Sequence, residues 1–134
     1  MKTTATCAML WTCGLALALG ASTDAHAAAT ANFQGACIWN AAHTQYLCNF
    51  DTARPASSPS NCSGSFVWKY QWDFDDGSTL LTGNPLASHT FLDGPERVVT
   101  LKVICWSGEI ATRSRHVCNR VGTPGCIKID GRWY

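Results

Sequence analysis

The chain is short of charge: only 14% of its 134 residues are Asp, Glu, Lys or Arg, ten basic against nine acidic, and none gather into a basic block. That excludes the electrostatic footprint of a nucleic-acid binder or of a protein lying on anionic lipid. Helical periodicity is missing after Ala28, so a helical bundle is excluded too. The sequence holds no internal repeat, which rules out a propeller or solenoid, and no low-complexity tract or second domain. No two cysteines have the two-residue spacing of a zinc knuckle. A Gly-x-Ser-x-Gly elbow is also absent, so His43, His89 and His116 have no nucleophile motif to serve, and a catalytic triad is unsupported.

What is present begins with an export signal. Met1-Lys2 gives a short charged start, Ala8 to Gly20 is an uncharged apolar run, and Ala25-His26-Ala27 has the small-x-small form of a cleavage site. Residues 1–27 are therefore read as a signal peptide. Ser22, Thr23, Asp24 and His26 interrupt the run too early for a membrane anchor. The mature chain is expected as one domain, 28–134, ending in a short disulfide-closed tail at 119–134, secreted or periplasmic, monomeric and without a membrane span. Six cysteines remain in it: Cys37, Cys48, Cys62, Cys105, Cys118 and Cys126. An even number in a short exported chain reads as a disulfide framework, and spacing alone does not choose among its pairings.

Short runs rich in Val, Ile, Thr and aromatics alternate with period two between Gly, Pro, Asn and Ser clusters. They predict strands at 32–39, 44–51, 66–74, 87–92, 97–106 and 110–118, a weak one within 78–83, and a further short one at 126–130. Parity puts Phe66, Trp68, Tyr70, Trp72 and Phe74 on one inward face, joined by Cys48, Phe50, Val99, Leu101, Val103 and Cys105. About seven short strands in a chain of this length is the signature of a β-sandwich. The 54–65 stretch, with two prolines and five serines, is a loop inside that domain.

Tyr70-Gln71-Trp72-Asp73-Phe74-Asp75-Asp76-Gly77-Ser78, followed by Ser88-His89-Thr90-Phe91 and Val99-Thr100-Leu101-Lys102-Val103, resembles a polycystic-kidney-disease (PKD) domain of the exported bacterial type. Ala31-x-Phe33-x-x-x-Cys37 with Leu47-Cys48-x-Phe50-Asp51 resembles the opening of such domains. The resemblance covers about 30–118 and implies an all-β, immunoglobulin-like (PKD-type) sandwich, disulfide-stabilised, with Trp72 at its centre, in a module that binds or spaces rather than catalyses. Two positions depart from the pattern. Asp75 stands where the family has Gly, and Arg97 where it has a Tyr that packs at a corner, which implies that disulfides take over some of that fixing.

Cys37 and Cys48 are equidistant from the turn at Ala42-His43 and should face each other across a hairpin. In the sandwich the 53–65 loop and the 106–109 turn share an end, which brings Cys62 towards Cys105 and leaves Cys118 to close a short loop with Cys126. The competitor is an antibody-like Cys48–Cys105 bridge.

Candidate sites are few. Asp73, Asp75 and Asp76 form the only carboxylate cluster, and two readings stand side by side: turn chemistry at a tight strand exit, or a Ca²⁺ site. Calcium apart, no cofactor is expected. Asn61-Cys62-Ser63 fits a glycosylation sequon, read as chance in a bacterial-type export protein. Trp106, next to Ser107 and Gly108, should be exposed, with Trp39 and Trp68 as further binding candidates; such rings anchor interfaces and stack on sugars. The resulting expectation is a non-catalytic binding or adhesion module for extracellular protein or polysaccharide. The alternatives are a secreted inhibitor or effector of a protease using the 53–65 loop, and a small hydrolase, which would need a pocket where His and carboxylate converge.

Overall fold

The structure is a computed structural model, and it describes residues 28–119 and 123–134. The expected signal peptide, 1–27, lies outside the described residues. Two sheets, antiparallel except for one short parallel pair at the tail, pack face to face. One holds β1 (Gln34–Trp39), β2 (Gln45–Asp51) and β5 (Leu86–Leu92) in the order β1-β2-β5. The other holds β3 (Val67–Asp73), β4 (Thr79–Thr82), β6 (Arg97–Cys105), β7 (Ile110–Cys118) and β8 (Ile127–Lys128) in the order β4-β3-β6-β7-β8. Among the described residues there is no helix. This is the expected immunoglobulin-like sandwich, its weak strand at 78–83 present as β4.

Alternation fills the core. Phe33, Phe50, Trp72, Phe91, Val99, Leu101 and Val103 are all fully buried. Trp72 meets Phe33 edge-on at 5.1 Å and Phe50 at 5.4 Å, with Phe74 beyond. Its indole N–H is buried without a partner, so ring packing and not hydrogen bonding holds it there.

The two sheets are stitched along one side by the tail. β8 pairs parallel with the end of β7 through Val117↔Ile127 and Cys118↔Lys128. The chain then runs back along β1, where Gly131 donates to Cys37 O at 2.7 Å and Gly35 and Tyr134 exchange backbone hydrogen bonds. Gly35 makes this docking possible, because a Cβ there would lie 2.7 Å from Ile127 Cδ1 and 3.0 Å from Phe50. Arg115 locks the seam by donating to the backbone oxygens of Phe33 and Tyr134. The sequence shows a short strand at 126–130 but not this role.

Three disulfides, Cys37–Cys48, Cys62–Cys105 and Cys118–Cys126, brace the domain. Cys48 pairs with Cys37 across the β1–β2 ladder and not with Cys105. Three bridges fit an oxidising extracellular or periplasmic environment. No helix among the described residues is long and apolar enough to cross a membrane.

Candidate binding surface

β3 does not keep the parity its sequence shows. Val67 pairs with Cys105 and Lys69 with Ile104, so the register slips across Trp68 in a β-bulge. The bulge turns Val67 onto the core and leaves Trp68 and Lys69 together on the outer face. Phe66 and Trp68, expected inward, are therefore 63% and 51% exposed.

Trp106 follows β6 in a tight hairpin turn in which Gly108, at φ 91°, donates to Cys105 O. Its amide extends the ladder by donating to Phe66 O at 3.0 Å, and its ring is 64% exposed, as expected. Trp106 stacks on Phe66 with centroids 5.6 Å apart and meets Trp68 nearly perpendicularly at 6.1 Å. The two indoles line an open notch of about 220 Å³. Beneath them the Cys62–Cys105 bridge fixes the end of the sheet. Ile110, at the start of β7, is also exposed, and Ser107 donates to Glu109 in the turn. Such a contiguous exposed apolar cluster with a polar border has the form of an interaction site.

Trp39 is not part of it. It ends β1 beside the 40–44 turn, at the opposite end of the sandwich, where its ring packs against Tyr46 at 5.0 Å and His43 at 5.5 Å. Of the three tryptophans singled out, the fold joins Trp68 and Trp106 and separates Trp39. Phe66 is the member that sequence parity assigned to the core. The run Phe66-Val67-Trp68 carried a signal, since three consecutive large apolar residues cannot all face inward on a regular strand.

The aspartates make turn bonds. Asp73 Oδ1 accepts from Asp75 N–H, Asp75 Oδ2 from Val98 N–H, and Asp76 Oδ1 from Ser78 N–H. Asp75 has φ 61°, a left-handed conformation that Asp bears better than most residues. Arg97 donates to Asp75 O at 3.0 Å and so ties the start of β6 to this turn. Among the described residues, no three His, Cys, Asp or Glu side chains come together as a metal-holding group.

The histidines are built into the framework. His89 stacks on Phe74 at 4.1 Å and bonds Asp76 at 2.6 Å. Burial works against ionisation of Asp76, but the bonds from His89 and Ser78 outweigh it and hold its carboxyl below the usual range. Hydrogen bonds from the Thr123 hydroxyl and amide, then from His116, do the same for Glu96. The 53–65 loop is tied down: Asn61 and Thr30 exchange backbone bonds, and Ser60 bonds both Thr52 O and Asn32.

No protein-family model matches the chain, and no curated protein matches it.

Proposed function

We propose that this chain is an exported, non-catalytic PKD-type module that binds extracellular polysaccharide through Phe66, Trp68 and Trp106. The observation that carries the reading is the right-angled corner of exposed rings on a disulfide-braced base. A pyranose presents an apolar C–H face that stacks on one ring while its edge meets the other, and its hydroxyls remain free for solvent and the Ser107–Glu109 rim. The site has no charge at its centre, which suits a neutral polymer better than an ionic ligand. A rigid base reduces the ordering cost of binding. The tied-down 53–65 loop takes support from the inhibitor alternative, which calls for a protruding one.

The test is depletion from solution by insoluble cell-wall polysaccharides, with tryptophan fluorescence titration on soluble fragments. Wild type should bind, and the double variant Trp68→Ala/Trp106→Ala should bind about tenfold or more weakly, as for loss of interface anchors. Equal binding by both proteins refutes the site. Capture of an extracellular protein that depends on the same two residues replaces the polysaccharide with a protein ligand.

A further inference from the structure

The side of the sandwich opposite the tail is open, and its edges are β4 and β5. β1, the far edge of the three-stranded sheet, is covered by backbone bonds from Gly131 and Tyr134. β4 is only four residues long. β5 has seven residues and pairs only with β2. Exposed strand edges are normally blunted by lysine, proline or a bulge, yet β5 itself has none of these: Pro85 precedes the strand, and Gly77 to Leu92 contains no Asp, Glu, Lys or Arg. Leu81, Leu86 and Leu92 on this side are 61%, 54% and 64% exposed.

The ladder fixes which groups are free. Thr52 N–H donates to Pro85 O and Asp93 N–H to Thr44 O. Hydrogen-bonded pairs of the β2–β5 ladder therefore fall on odd-numbered residues of β5, and even-numbered ones aim their N–H and C=O groups away from β2. The Leu86 N–H is taken by Asn84 Oδ1. Among the described residues, the hydrogen bonds leave the outward groups of Ser88, Thr90 and Leu92 unengaged.

We propose that β5 pairs with β5 of a second copy of this chain, antiparallel, about a two-fold axis at Thr90. Thr90 then faces Thr90 of the second copy and Ser88 faces Leu92, in about six main-chain hydrogen bonds that use every one of those free groups. Leu92 lies diagonal to Leu86 across the junction, within reach of a long side chain. An uncharged strand opposite itself meets no like charge. The two three-stranded sheets become one six-stranded sheet whose outer edges are both β1, already covered, so the assembly closes at two copies. This departs from the monomer expected from sequence. Because the axis reverses strand direction, the two aromatic corners lie at opposite ends of the dimer and the module becomes bivalent.

Sedimentation equilibrium of the intact oxidised protein, from micromolar to millimolar concentration, decides the question together with Thr90→Lys and Thr90→Pro. The Thr90 N–H points away from β2 and its side chain is exposed on the outer face of the sheet, so each variant should keep the monomer fold, checked by far-UV circular dichroism and melting at low concentration. Wild type should be dimeric and both variants monomeric, with hydrogen exchange at Ser88, Thr90 and Leu92 slowing as wild-type concentration rises. A wild type that stays monomeric throughout overturns the proposal. So does a dimer that survives in both variants, since it uses another face.

Discussion

At the end of the sandwich formed by the 40–44, 74–78 and 93–96 turns, Asp73, Asp75, Asp76 and Glu96 are all engaged by the protein itself. At the opposite end three large aromatic rings face solvent and only each other. Each end has one peripheral disulfide, Cys118–Cys126 at the first and Cys62–Cys105 at the second. The contrast separates structural from unassigned chemistry: a carboxylate that accepts backbone N–H groups is explained by the fold, and an exposed cluster of rings is not. Charge clusters are the usual place to look for a site, but here the apolar corner is the better candidate.

Removing the bridges one at a time should break that comparison most strongly. Cys62–Cys105 closes 43 residues and Cys118–Cys126 only 8. In the chain-entropy account the first contributes about 4 kcal/mol and the second about 2.5 kcal/mol. Denaturant unfolding of Cys62→Ser/Cys105→Ser and Cys118→Ser/Cys126→Ser measures both, and the aromatic end is expected to be the more dependent on its bridge. Equal losses would mean that residual denatured-state structure or the Glu96–Thr123 contacts outweigh loop length.

Acid sharpens the difference from the other direction. Asp76 and Glu96 have folded pKa values below their unfolded ones. Their stabilising contribution is therefore complete above the unfolded values, 3.8 and 4.5, and is lost as pH falls through the folded values. Melting temperature should decline on acidification below about pH 4, and hydrogen exchange should rise first in the 74–78 and 93–96 turns. Asp76→Asn should flatten part of that decline. Fraying that begins at the 106–109 turn would contradict this picture, because the carboxylate of that turn, Glu109, accepts only from the Ser107 hydroxyl.

Much of this was legible in the chain. The positions of the strands along the chain, the inward face of Trp72 and the facing of Cys37 with Cys48 follow from period-two patterning and turn symmetry, which are local signals. Two things were not legible, and both depend on where one strand meets another. The Val67/Lys69 bulge is a property of the β3–β6 ladder and reverses the direction of Phe66 and Trp68, the residues that make the candidate site. The tail's docking on β1 depends on the space that Gly35 leaves beneath Ile127, a contact between residues nearly a hundred positions apart. Strand parity cannot report either one.

The smallest effect is also the most discriminating, because it asks the same question of one residue type at both ends. Trp39 is half-buried against Tyr46 and the core, so Trp39→Ala should cost about 1–2 kcal/mol, part of the value of a fully buried ring. Trp106 loses only ring–ring contacts that are already solvated, and Trp106→Ala should cost less than about 1 kcal/mol. In a domain this size that difference is several degrees in melting temperature. If Trp106→Ala destabilised as much as Trp39→Ala, the ring would be a structural brace of the Cys62–Cys105 end and its exposure would carry no functional meaning. If instead it melted like wild type while losing affinity for polysaccharide, the aromatic corner would be separated from stability, as expected of a surface that serves a ligand.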